Sequence, residues 1–336
     1  MIQTPRSTPL RLAAIAILAW LAPPSIEAQP ISTAAGDECP ESRLAATAGE
    51  SDESSRRRSV RRPVREGTLV WADEFNGSSI DDDSWEHMLG DGTAYDLPPG
   101  WGNNELQSYT DRPENSFVSD GFLHIVVRRD EGDHAYTSAR LRTLGHQEFL
   151  YGRFEARIRV PSGKGIWPAL WMLPSESAYG GWAASGEIDI IETINFADAA
   201  HGTIHFGGEW PANVKSGATY SADDLDLSES FHIYAIEWTP DEIRWYVDDV
   251  CYHRESSADW FSAGAPERTR APFDRPFHLL VNVAVGGNWP GSPDESTPFP
   301  QEMLVDWIRV WEIDPSPESH GCHSMANGGE TDEENE

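Results

Sequence analysis

Lysine is almost missing from this chain: Lys164 and Lys215 are the only two, and 25 basic side chains face 56 acidic ones for a net charge of −31. A surface of that sign repels phosphate backbones and anionic lipid, which excludes nucleic acid and membrane surfaces as partners. Such a balance resembles proteins of salt-rich habitats, where counterions screen the self-repulsion. Cysteine is scarce as well, with three residues, Cys39, Cys251 and Cys322, at no short metal-ligand spacing. An odd count this low excludes a disulfide framework and a cysteine-based zinc site. Cys39 and Cys322 lie near the two chain ends, and a bridge between them in an oxidising compartment is a pairing the sequence leaves open. Beyond the first residues no uncharged apolar run approaches the roughly 18 to 20 residues of a spanning helix. Internal repeats and long stretches at helical period are absent too.

What is present divides the chain into four parts. Arg6 and Arg11, the apolar run Leu12 to Ala22 and the small residue Ala28 read as an export signal over 1–28, which predicts a soluble secreted product. Residues 29–66, rich in Ser, Ala and Glu and ending in the basic stretch Arg56 to Arg65, read as a disordered linker or pro-segment, and 314–336 as a disordered acidic tail. Between them, 67–313 carries short runs of β-branched and aromatic residues punctuated by Gly, Pro, Asn and Asp. Strands are expected at Thr68 to Asp73, Gly121 to Arg128, Gly152 to Val160, Ile166 to Leu173, Glu187 to Thr193, Phe231 to Thr239, Glu242 to His253, Phe277 to Val285 and Leu304 to Ile313. The turn Thr239-Pro240-Asp241-Glu242 makes 231–253 a hairpin. A domain of this size and rhythm buries its inner faces as an all-β sandwich of two antiparallel sheets, of the jelly-roll kind.

Within the expected strand Glu187-Ile188-Asp189-Ile190-Ile191-Glu192, three carboxylates stand among β-branched residues. That placement is costly unless the acids face water. Side chains alternate along a strand, so Glu187 and Asp189 share a face while Glu192 would point the other way. A β-bulge between Asp189 and Glu192 restores it to the first face. Paired carboxylates about 5 to 5.5 Å apart perform retaining glycoside hydrolysis, one attacking the sugar and the other protonating the leaving oxygen. A third acid between them raises a neighbour's pKa. The pattern alone is weak, since a chain of this composition shows Glu-x-Asp-x-x-Glu roughly 0.2 times by chance, and a solvated edge strand is the bland alternative. Trp167, Trp171 and Trp182 upstream supply flat faces suited to pyranose rings, although core packing is the ordinary fate of any one tryptophan.

The run from Gly152-Arg153-Phe154-Glu155-Ala156-Arg157 through Gly165-Ile166-Trp167-Pro168-Ala169-Leu170-Trp171 to the acid segment resembles glycoside hydrolase family 16, in particular its laminarinase-like endo-β-1,3-glucanases. The likeness extends to Trp101 to Tyr109, His205, Asn282 to Gly291 and Val305 to Trp311. It implies a jelly roll with a concave sugar cleft, Glu187 as nucleophile, Glu192 as acid/base and Asp189 as the supporting middle acid, with no cofactor in catalysis. It also implies that Trp167, Trp171, Trp182, Trp289, Asn103, Arg140 and His205 line the cleft, and that Glu74, the Gly121 carbonyl and Asp306 form a candidate structural calcium site. Cys251, where relatives carry no such residue, is expected to be a buried inert thiol. The expected substrate is a laminarin-like β-1,3-glucan taken by a monomer. A mixed-linkage glucan, an algal galactan, or a glucan-binding module without catalysis are the alternatives.

Overall fold

The computed structural model describes residues 67–129, 132, 134–222 and 225–313. The export signal, linker and tail expected above, with Cys39 and Cys322, lie outside them. Seventeen strands follow one another: β1 Leu69–Asp73, β2 Glu86–His87, β3 Gln107–Tyr109, β4 Ser116–Ser119, β5 Phe122–Arg129, β6 Tyr136–Ser138, β7 Arg140–Arg142, β8 Gly152–Arg159, β9 Ile166–Pro174, β10 Glu187–Glu192, β11 Ala200–Gly207, β12 Asn213–Tyr220, β13 His232–Trp238, β14 Glu242–Val247, β15 Val250–Ser256, β16 Phe277–Val285 and β17 Gln301–Trp311. They form a ten-stranded sheet, β15-β14-β13-β8-β17-β5-β6-β3 with β1 beside β17 and β4 beside β5, and a seven-stranded sheet, β12-β11-β10-β9-β16-β7-β2. Every pairing between strands is antiparallel except β3 with β6.

The sandwich core is where the inner faces meet. Leu123, Ile125 and Ile158 from the larger sheet share one cluster with Leu170, Ile188, Ile204, Val281 and Val283 from the smaller. Each such side chain contributes about 1.5–3 kcal/mol by leaving water. Strand β16 is buried along its whole length, which makes it the spine of the smaller sheet. Packed on β16, β9 in turn carries β10 on its other edge, so the acid strand rests on the best-buried part of the fold.

Two expectations change. Residues Glu242 to His253 are two strands, because Asp248 (φ 48°) and Asp249 (φ 69°) take the chain through a left-handed two-residue turn between Val247 and Val250. Aspartate tolerates that region where β-branched residues do not, and the Asp248 carboxylate also accepts the Ile233 backbone N–H at 2.8 Å. Cys251 is disulfide-bonded, not an inert thiol. It sits half-buried on β15, the outermost strand of its sheet.

Candidate active site

Strand β10 is entered through Gly186, whose φ of +89° and tight surroundings demand glycine: a Cβ there would lie 3.0 Å from Phe273 and Pro272. From there Glu187 pairs with His205 and Asp189 with Thr203, but Glu192 pairs with His201, so Ile190 and Ile191 together oppose Gly202 alone. This is the β-bulge expected between Asp189 and Glu192. Its physical cause is the core: Ile188, Ile190 and Ile191 are all buried in the cluster between the sheets. Turning both Ile190 and Ile191 toward the core returns Glu192 to the face that holds Glu187 and Asp189.

The three acids form a row on the outer face of the smaller sheet. Trp182 Nε1 donates to Glu187 Oε2 at 2.9 Å, and Trp167 Nε1 donates to Glu192 Oε1 at 2.9 Å. Each glutamate is thus held by one indole N–H, at opposite ends of the row. His205 Nε2 lies 3.7 Å from Glu187 Oε1 and 3.5 Å from Asp189 Oδ2. Beyond Glu187, the Trp182 ring sits 6.4 Å from Trp210. Beyond Glu192, Trp167 meets Trp289 edge-on at 5.5 Å, and His201 packs on the same Trp289 ring at 4.9 Å. Trp182, Trp289 and Trp210 are 38, 43 and 66% exposed, far too open for core residues, so aromatic surface flanks the acids on both sides.

The remaining predicted positions are distributed less evenly. Trp171 turns its indole N–H to Asn282 Oδ1 at 2.8 Å, one layer toward β16. Asn103 is exposed and donates to Glu105 Oε1 at 3.2 Å. Arg140 is enclosed, its side chain 8% exposed: the guanidinium stands 4.3 Å from the Trp101 ring, 4.8 Å from Tyr109 and 5.2 Å from Trp171, with Glu105 at 3.9 Å. It therefore orders the rings around it instead of facing solvent. Glu74 gives both carboxylate oxygens to Arg309 at 2.7 Å, and Asp306 accepts from Arg157. With both acids already neutralised by guanidinium groups, the side chains at the candidate calcium position do not fit a Ca²⁺ ion. Trp210, His201 and Asn282 were not singled out from the sequence. The alternation His201-x-Thr203-x-His205 was the available signal for His201.

Electrostatics follow from crowding three acids on a half-dry floor. Burial raises the Glu187 carboxyl, and repulsion from Asp189 raises it further; Glu192 is raised by the same two causes in the same order. Asp189 is pushed by burial up to about 8, with Lys215 across the sheet opposing the shift, and its Oδ2 is buried without a hydrogen bond. A carboxyl that binds its proton more tightly folded than unfolded costs stability as pH rises from about 3.9, its unfolded value, through the folded value. Asp189→Asn is therefore expected to raise the melting temperature at pH 7, by roughly 2–4 °C per kcal/mol gained, and to leave it nearly unchanged at pH 4. Thermal unfolding at the two pH values checks this, and equal shifts at both would contradict it.

A carbohydrate hydrolase of the double-displacement type is the class that such a site defines: two carboxylates on one sheet face, a third acid between them, and aromatic surfaces continuing the line in both directions. Residues 103–309 match glycosyl hydrolases family 16, and the chain belongs to that family. It is similar to the glucan endo-1,3-beta-glucosidase A1 of Niallia circulans, 41% identical over 73% of this chain and 38% of that protein. It also resembles the beta-glucanase of Rhodothermus marinus, 43% identical over 72% of this chain and 84% of that one. Among solved structures, the laminarinase catalytic domain of Thermotoga maritima superposes with a TM-score of 0.66 at 42% identity, covering 74% of this chain and all of that domain.

Proposed function

We propose that this protein is a secreted, endo-acting, retaining β-1,3-glucanase. The observation that carries the reading is the bulge in β10, which sets Glu187 and Glu192 on one open face with Asp189 between them. In the first step the Glu187 carboxylate attacks the anomeric carbon while Glu192 gives its proton to the departing glycosidic oxygen. In the second, Glu192 takes a proton from water, whose oxygen replaces Glu187 on the sugar and returns the anomeric centre to its β configuration. The balance is one glycosidic bond exchanged for one water, and the carboxyl groups alone supply the chemistry, with no cofactor. Aromatic surface at both ends of the acid row suits a polymer running past the scissile bond in both directions, as cleavage within a chain requires.

Substrate choice rests on the relatives named above, all of them β-glucan hydrolases by name, and on the ring-lined approach to the acids. Export is supported by the N-terminal pattern and by a disulfide at Cys251, which persists in an oxidising compartment. A net charge of −31 supports a neutral glycan, and neither nucleic acid nor membrane, as partner. The test is a product survey of the purified protein on laminarin, lichenan, agarose and carrageenan at low and high salt. Fastest release of reducing ends from laminarin, with the β anomer appearing first by NMR, is the expected result. Preference for lichenan or for a galactan would move the substrate assignment, and binding to laminarin with no release would replace the enzyme by a recognition module.

A further inference from the structure

The Asp189 backbone carbonyl, at the start of the bulge that aims Glu192, accepts a hydrogen bond from the opposite sheet. Trp245 on β14, fully buried, donates its indole N–H to the Asp189 carbonyl at 2.8 Å. The space for this reach exists because the residue facing the bulge is Gly202. A Cβ on Gly202 would stand 2.3 Å from Trp245 Cδ1 and 2.5 Å from the Tyr252 hydroxyl, and the backbone angles of Gly202 are not in the left-handed region that would otherwise explain a glycine. Gly202 is thus required for room, and the room is filled by the indole. On its other side the Trp245 ring packs against His253 at 5.1 Å, which fixes the ring from within its own sheet.

We infer that Trp245, seated over Gly202, is a positioning residue that holds the β10 bulge from across the sandwich and so aims Glu192 at the glycosidic oxygen. A buried backbone carbonyl stripped of its partner is destabilising, so losing the indole N–H loosens the bulge that the core isoleucines impose. A loosened bulge displaces Glu192, which follows it, while Glu187, which precedes it, keeps its place. Loss of the anchor should therefore damage acid catalysis selectively and leave nucleophilic attack intact. This rests on the glucanase reading above.

The experiment compares wild type with Trp245→Phe, which removes the N–H and keeps an aromatic ring, on two substrates. Laminarin needs its leaving oxygen protonated. 2,4-Dinitrophenyl β-laminaribioside does not, because dinitrophenolate leaves unaided. The expected result is a fall in kcat/KM on laminarin on the order of 10²-fold, with KM little changed and the alkaline limb of the pH profile displaced, while kcat/KM on the aryl glycoside falls far less. Equal losses on the two substrates, or undiminished activity on laminarin, would overturn the inference. If Trp245→Phe does not fold, the decisive variant carries 3-benzothienylalanine at position 245, which preserves the indole shape without the donor. A wild-type protein inactive on laminarin would instead defeat the functional reading, so the two failures are distinct.

Discussion

Glu187→Gln is expected to lower turnover of laminarin by more than about 10⁴-fold, roughly 5 kcal/mol of transition-state stabilisation, without loss of the folded state. The amide is isosteric with the carboxylate, and its oxygen still accepts the Trp182 indole N–H, so the local geometry has no reason to collapse. What disappears is the nucleophile: a neutral amide does not form the glycosyl-enzyme. Removing a buried carboxyl whose proton affinity is raised also relieves repulsion on Asp189, so the variant should melt at or above the wild-type temperature at pH 7. The assignment has a stereochemical check. Glu187→Gly with added azide should yield the α-glycosyl azide, because the small anion attacks once where two displacements occurred before. Substantial glucanase activity in Glu187→Gln, or a β-azide from the glycine variant, would transfer the nucleophile's role elsewhere.

Replacing Glu192 by Gln should produce a different pattern, and the contrast is the stronger evidence. General acid catalysis contributes about 10²–10⁴-fold, and that much should vanish on laminarin. On the dinitrophenyl glycoside, kcat/KM should survive, since its leaving group needs no proton. With Glu192→Gly and azide, the product should be the β-glycosyl azide, formed by attack on the intermediate still held at Glu187. The pH profile should change with it. In the wild type the alkaline limb reports loss of the Glu192 proton, which burial and the Asp189 charge hold to higher pH than an ordinary glutamate keeps it. In Glu192→Gln that limb should disappear for the aryl glycoside. A variant that keeps both its laminarin activity and its alkaline limb would show that Glu192 is not the acid.

The acid segment was legible because its two periodicities conflict: the isoleucines demand a core face, the acids demand water, and only an inserted residue at Ile190-Ile191 satisfies both. The long strands β8, β9, β16 and β17 were legible from β-branched and aromatic density. Strands β11 and β12 were not. Their sequences, Ala200–Gly207 and Asn213–Tyr220, are rich in glycine and small polar residues, and they are extended because β10 pairs with β11 and β11 with β12. Asp248-Asp249 reads as strand in the sequence because charge alone does not announce a left-handed turn. Arg140 illustrates a subtler gap. The family resemblance sets this arginine at the cleft, and the fold encloses it among Trp101, Tyr109 and Trp171 with Glu105 beside it, a destination set by separate segments.

By itself, then, the order of residues determined a β-sandwich and the need for a bulge between Asp189 and Glu192, since both follow from alternation over a few neighbouring positions. Tertiary structure alone decided which tryptophans hold the glutamates, how the Asp189 carbonyl is satisfied, and that Cys251 is bridged. The three hydrogen bonds join residues 5, 25 and 56 positions apart, and local sequence carries no record of which distant side chain will fill a space that Gly202 leaves open.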